Sequence, residues 1–221
     1  MKYIVVDLEM NNICKKSEAF KNCKMETIEI GAIMLNEDYL EISAFKTYVK
    51  PEYNSHILSN ISALTGITDS TVLNAPKFNE ALKMFTEWCL KTGDEINLYA
   101  WSKNDYEQIC REKELKNYIS CIEEGKILEC EWCDFQNEFD IHLGFEKQIS
   151  LKTALDMAGI EFEGREHDAL YDARNTAKLL QLFKDKKLFD LTLRKIKEAM
   201  APTPFGTSLG SLFDFSNLAT A

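Results

Sequence analysis

The chain has 221 residues, with 26 Lys and Arg against 36 Asp and Glu, a formal net charge of −10 and a pI near 4.9. That length carries one sizeable domain with a full core, and no apolar run approaches the ~18 residues a membrane span needs. The acidic balance argues against tight non-specific binding to long duplex DNA, which relies on many Lys and Arg contacts to phosphate. A short or single-stranded end is easier to reconcile with it.

Tyr3-Ile4-Val5-Val6 opens like a signal peptide, but Asp7 interrupts the run, so residues 3–9 read as a buried first strand. Residues 12–26 are polar and carry Lys15, Lys16, Lys21 and Lys24, which reads as a loop. Thr27–Leu35 and Leu40–Val49 are predicted strands, the second closed by Pro51. Three strands with short connections suggest an antiparallel meander. Residues 57–69 read as one short helix and a Gly66 loop, and Asn74-Ala75-Pro76 starts a helix bearing Phe78, Leu82, Phe85 and Cys89. Ile96–Trp101 is a fourth strand, Tyr106–Glu114 a helix, and Ile127–Cys133 a fifth strand.

Leu151–Ala158 is a short helix ended by Gly159, and a longer one spans Ala169–Lys184. Leu188–Met200 forms a last, charge-laced helix. Residues 1–200 therefore read as one domain. From 201 to 221 the composition turns to Pro, Gly, Ser, Thr and Phe, a tail either flexible or docked on the domain. Seven cysteines, an odd count, point to free thiols in a reducing compartment, the cytoplasm. Cys130 and Cys133 form a lone C-x-x-C and read as two ordinary thiols near a strand rather than a structural zinc site.

Acids at the mouths of predicted core strands need a partner, because burying a lone carboxylate is costly. Asp7 and Glu9 are two apart in a strand and project to one face. Two such carboxylates repel unless a cation lies between them. Asp168 can cap the helix after it, which puts Asp172 in the first turn, with His167 on the preceding loop free to swing over it. Asp105 follows the fourth strand, where it either joins this set or merely caps the next helix. Divalent metal is the partner that suits such acids, and it points to phosphodiester chemistry.

Together these residues resemble the DEDDh 3′→5′ exonucleases of the DnaQ-like superfamily. Asp7-Leu8-Glu9 matches the first motif, Asp105 the second, and His167 with Asp172 the H-x4-D of the third. Glu29-Ile30-Gly31-Ala32, Thr47-Tyr48-Val49-Lys50-Pro51, Leu64-Thr65-Gly66-Ile67-Thr68 and residues 159–164 resemble most the subgroup that trims histone-mRNA and small-RNA 3′ ends, with its bacterial relatives. Met10-Asn11 departs from the Thr-rich pair that often follows D-x-E.

The resemblance implies an α/β ribonuclease H-like fold, with a central mixed five-stranded sheet flanked by helices. It implies hydrolysis of single-stranded RNA or DNA 3′ ends, RNA slightly favoured, to nucleoside 5′-monophosphates. Two Mg²⁺ ions, replaceable by Mn²⁺, would be held by Asp7, Glu9, Asp105 and Asp172, with His167 as base; an imidazole, whose ordinary pKa is about 6.5, suits that role near neutral pH. Met10, Leu64, Gly66 and Ile67 would hold the last nucleotide, although Leu64 and Ile67 serve equally to anchor a loop. Trp101 reads as a core residue that can also stack on a base. Two other readings are a polymerase proofreading exonuclease and a catalytically idle nucleic-acid-binding module of the same fold. Leu209-Gly210-Ser211-Leu212-Phe213-Asp214-Phe215 loosely resembles a sliding-clamp peptide, a docking route for a protein partner, although the expected Gln is missing.

Overall fold

The structure, a computed structural model, describes residues 1–130, 132–145 and 147–200. Strand β1 (Lys2–Asn12) pairs antiparallel with β2 (Met25–Leu35), and β2 pairs antiparallel with β3 (Glu41–Tyr48). On its other edge β1 runs parallel to β4 (Ile96–Ala100), which runs parallel to the two-residue β5 (Cys133–Asp134). The order is β3-β2-β1-β4-β5, the expected meander inside a mixed five-stranded sheet.

Both faces of this sheet are covered, which is why β1 and β2 read as nearly continuous apolar runs. Ile4, Val6 and Leu8 join Phe78, Leu82, Phe85 and Trp88 of α3 (Phe78–Leu90) in one core layer. Val5 faces the other way, packing with Tyr99, Phe135, Leu155, Ala173 and Leu180. That second layer is roofed by α6 (Phe135–Leu143), α7 (Leu151–Ala158) and α8 (Ala169–Lys184). Asp7 and Glu9 continue the Val5 row, on the α8 side. Gly31 is paired with Asp7, and a Cβ there would run into the backbone of Ala169 and Leu170. Only glycine lets the first turn of α8 sit directly on β2.

Several elements depart from expectation. Where a fifth strand is predicted, Ile122–Leu128 is helix α5, and only Cys133–Asp134 pair with β4. Ile127, Leu128 and Trp132 are core residues, and a short apolar run does not distinguish helix from strand. Helix α3 starts at Phe78 with Lys77 as N-cap, later than Pro76 suggests, because the Pro76 carbonyl accepts the Lys50 N–H at 2.8 Å. Helix α4 (Lys103–Leu115) starts earlier than Tyr106; Ser102 caps it, its Oγ accepting the Asn104 N–H at 3.3 Å, so Asp105 is not the cap. Helix α1 (Ser59–Thr65) ends at the left-handed Gly66, and a short α2 (Asp69–Val72) follows. The 12–26 loop holds one 3₁₀ turn, Glu18–Lys21, and α9 (Lys186–Met200) closes the described chain. The tail and its clamp-like peptide lie outside the described residues.

A buried charge network ties α4 to the sheet. Glu26 accepts the N–H groups of Glu52, Tyr53 and Asn54 at 2.6, 2.8 and 3.1 Å. Lys116 Nζ lies 2.7 Å from Glu112 and 3.3 Å from Glu26, while Glu112 also accepts from Thr27 N and Oγ1. Buried charges persist when fully hydrogen-bonded in this way. The network fixes the helix that bears Asp105 and the loop 52–54.

Candidate active site

Strand β4 pairs with β1 only as far as Val6–Ala100. Beyond that point Asp105 Oδ1, in the first turn of α4, accepts the Leu8 N–H at 3.1 Å. The residue between Asp7 and Glu9 thus carries the contact that fixes Asp105. A register shift follows at Glu9–Met10, the kind of bulge that re-aims side chains beside active sites.

The third segment arrives from the opposite direction. Asp168 caps α8, its Oδ1 accepting from Leu170 N at 3.2 Å and Tyr171 N at 3.4 Å. Asp172, one turn on, accepts the His167 N–H through Oδ2 at 3.0 Å. His167 adopts φ 61°, a left-handed conformation uncommon outside glycine, and that hydrogen bond holds it there. One ring nitrogen of His167 and one carboxylate oxygen each from Glu9 and Asp172 lie within 4.8 Å of one another. Asp7, Glu9, Asp105, His167 and Asp172 line a single cleft of about 650 Å³, together with Met10 and Trp101.

The electrostatics of this cluster are unfavourable without a cation. Burial, then Asp105, Asp172 and Glu9, raise the Asp7 carboxyl well above its ordinary value. Burial and the nearby Asp172 and Glu29 push Glu9 up to about 8. Asp105 is pushed up to about 7 by burial, against the Leu8 N–H that favours its charge, and Asp172 to about 7 by burial, against the His167 N–H. Asp172 Oδ1 is buried with no hydrogen-bond partner among the described residues. An all-oxygen set with an orphaned carboxylate oxygen fits a hard divalent cation. Folded-state values above the ordinary carboxylate value mean that the folded chain keeps protons the unfolded chain has released between pH ~4 and ~8. Metal-free stability is therefore greatest at the acid end of that window and falls as pH rises through it. Melting in EDTA should occur at lower temperature at pH 8 than at pH 5.5, and saturating Mn²⁺ should erase the difference; a metal-free melting point that rises with pH would contradict this.

The nucleotide-binding expectations divide. Met10 and Trp101 line the cleft, whereas Leu64, Gly66 and Ile67 are not among its lining residues. Ile67 is buried with Ile28, Ile57 and Val72, which anchors the loop to the sheet; Leu64 is exposed. Gly66 closes α1, and Arg165 reaches across to accept no one: its guanidinium donates to the Ala63 and Leu64 carbonyls at 3.3 and 3.0 Å. Arg165 thereby joins that loop to the one carrying His167. Trp101 packs edge-on to Phe135 with ring centroids 6.0 Å apart, yet its buried Nε1 has no acceptor among the described residues.

Sequence reasoning missed a supporting set. Glu29 pairs with Glu9 across the sheet and accepts the Ala169 N–H at 3.1 Å. Lys46 Nζ lies 2.7 Å from Glu29 and 2.6 Å from the Asp168 cap, bridging β2 to α8. Burial alone would lower the Lys46 ammonium, but hydrogen bonds to Asp168 and Glu29 hold it above its ordinary value. Lys46→Met should leave the buried Glu29 unpaired, costing about 3 kcal/mol, and lower kcat roughly 10- to 100-fold. Adding Glu29→Gln should restore the melting temperature without restoring kcat; recovery of both would show that Lys46 acts only on stability. Asn104, Arg111, Gln136 and Gln148 also line the cleft and carried no sequence signal.

Residues 4–180 match the exonuclease family of the RNase T type. The chain belongs to that family. This exonuclease-family chain is similar to ERI1 exoribonuclease 2 of Xenopus laevis, 31% identical over 202 residues, covering 80% of the chain but 27% of that protein. It is also similar to 3′-5′ exoribonuclease 1 of Rattus norvegicus, 29% identical over 165 residues, covering 70% of the chain and 45% of that protein. It thus spans between about a quarter and a half of these relatives. Among solved structures, the nuclease domain of 3′hExo, a DEDDh family member bound to rAMP, superposes with a TM-score of 0.70 at 22% identity, covering 84% of this chain and 92% of that one. E. coli Exonuclease I with a dT13 oligonucleotide gives 0.62 at 16%, covering 86% and 43%. The fold is ribonuclease H-like, and the exonuclease family to which the chain belongs uses divalent metal ions.

Proposed function

We propose that this chain is a metal-dependent 3′→5′ exonuclease that releases nucleoside 5′-monophosphates from single-stranded 3′ ends, with RNA favoured over DNA. The observation that carries the reading is the meeting of Asp7, Glu9, Asp105 and Asp172 with His167 in one cleft. The named activity of the exoribonuclease relatives supports RNA, and the odd cysteine count supports a cytoplasmic setting. Asp7, Glu9, Asp105 and Asp172 would hold two Mg²⁺ ions, for which Mn²⁺ would substitute. Such ions, when bound, stabilise charge on the attacking and leaving oxygens of an in-line displacement.

The chain's own residues supply the rest. His167 stands exposed at the cleft, its ring beside Glu9 and Asp172, and would take a proton from the attacking water. The imidazole is steered by its own backbone N–H, which is fixed on Asp172. Met10 and the edge of Trp101 that lines the cleft offer apolar surface to the terminal base. The test is a 5′-labelled oligonucleotide, RNA beside matched DNA, with Mg²⁺, Mn²⁺ or EDTA. Stepwise metal-dependent shortening from the 3′ end supports the proposal; intact strands under every condition would favour the idle binding module. A marked preference for DNA would favour the proofreading type.

A further inference from the structure

We propose a second nucleic-acid subsite beside the cleft, built by the 13–24 loop, that takes an unstacked base and its flanking phosphates upstream of the 3′ end. A pocket of about 520 Å³ is lined by Ile13, Phe20 and Leu58, with Lys15 and Lys24 at its rim. It opens at Asn12, where β1 ends, five residues past Asp7 and so roughly 15 Å along the strand. That is a few nucleotides of single strand. The pocket neighbours the catalytic cleft across two strands: Met25, next to Lys24, lines the cleft, and Asn12, which lines the pocket, pairs with Met25.

Charge complementarity names the occupant. Residues 15–24 carry four lysines and one glutamate, a local excess of positive charge on a chain of net charge −10. Lys21 is satisfied by Glu18 at 2.6 Å. Lys15, Lys16 and Lys24 are exposed, and no acid within ion-pair reach claims them among the described residues. Lys24 donates to the Phe20 carbonyl at 2.6 Å and lies 4.0 Å from the Phe20 ring centroid, which orients the ammonium and leaves further N–H donors for a phosphate. An aromatic and aliphatic lining edged by lysines is the chemistry of single-strand binding, a base on the apolar surface and phosphates on the cations.

The pocket is also preformed. Ile13, Ala19 and Cys23 make a small core of their own with Phe20, Tyr53 and Leu115. The Ile13 N–H bonds the Lys24 carbonyl at 2.9 Å, and Asn54 Nδ2 donates to the Asn12 carbonyl at 3.0 Å, while Glu26 fixes the 52–54 loop from behind. A rigid, cationic pocket lowers the ordering cost of a strand that enters it.

The inference rests on the exonuclease reading for the direction of the strand, but its test does not need cleavage. Binding of a 5′-labelled single-stranded RNA of about 12 nucleotides is followed by fluorescence anisotropy in EDTA, on the whole chain. Lys15→Ala with Lys24→Ala should weaken binding about tenfold and lower the salt slope by about 1.4, the value for two single-strand phosphate contacts. A labelled trinucleotide, too short to span both sites, should bind wild type and variant alike. Phe20→Leu should weaken the longer strand with little change of salt slope. Unchanged binding of the longer strand by the lysine variant overturns the subsite, as does equal loss for both lengths. If wild type binds the strand through these lysines yet shortens nothing with Mg²⁺ or Mn²⁺, the enzyme reading fails and the subsite stands.

Discussion

Asp172→Asn should all but abolish cleavage, by on the order of 10³-fold, while raising the metal-free melting temperature at pH 8. The two effects have one cause. Asp172 is a carboxylate whose buried Oδ1 has no hydrogen-bond partner among the described residues and whose pKa is pushed up to about 7. At pH 8 it is ionised beside Glu9, a repulsion that the folded chain tolerates for the sake of a cation. Asparagine keeps an oxygen for the His167 N–H, seen at 3.0 Å, and places a donor or a neutral group where the unpartnered oxygen stood. We expect a gain of at least about 1 kcal/mol, equivalent to roughly 2–4 °C, measured by thermal melting in EDTA. A lower melting temperature would mean that Asp172 is held by contacts other than those that strain it now.

His167→Asn should separate proton transfer from metal binding. Asparagine tolerates the left-handed backbone that His167 adopts at φ 61°, so the loop and its N–H to Asp172 survive. Removing a positioned general base costs about 10² to 10⁴ in rate, and kcat should fall within that range. Mn²⁺ affinity and binding of an RNA strand should stay near wild type. The split between kcat and binding is what a merely structural histidine would not produce. A rate within twofold of wild type would remove His167 from the proton-transfer role.

The sequence was legible where the pattern is local. Helices α7 and α8 run over the residues their spacing predicts, and Asp168 caps α8 as its position before Ala169 suggests. The shared face of Asp7 and Glu9 follows from strand alternation, because Val5 before them packs into the α8 layer. What was not legible depends on register. Lys46 pairs with Gly31 across β2 and β3, which sets it diagonal to Glu29, and nothing in either segment announces that pairing. Helix α6 carries Phe135, Phe139 and Leu143 a turn apart inside a polar stretch, a pattern that marks a core face but says nothing of Gln136, which lines the cleft. The leucine and isoleucine of the 64–67 loop illustrate the opposite case. Their residue types suit a base equally well as a core, and burial of Ile67 against Ile28 and Val72 decides for the core.

Calorimetric titration of Mn²⁺ into the metal-free chain at pH 8 addresses the convergence of the four carboxyls most directly. Two ions should bind per wild-type chain, with protons released as Glu9 and its neighbours ionise, and Asp7→Asn should lose at least one of them. Wild-type protein that takes up no Mn²⁺, or that binds it equally well after Asp7→Asn, would contradict the account.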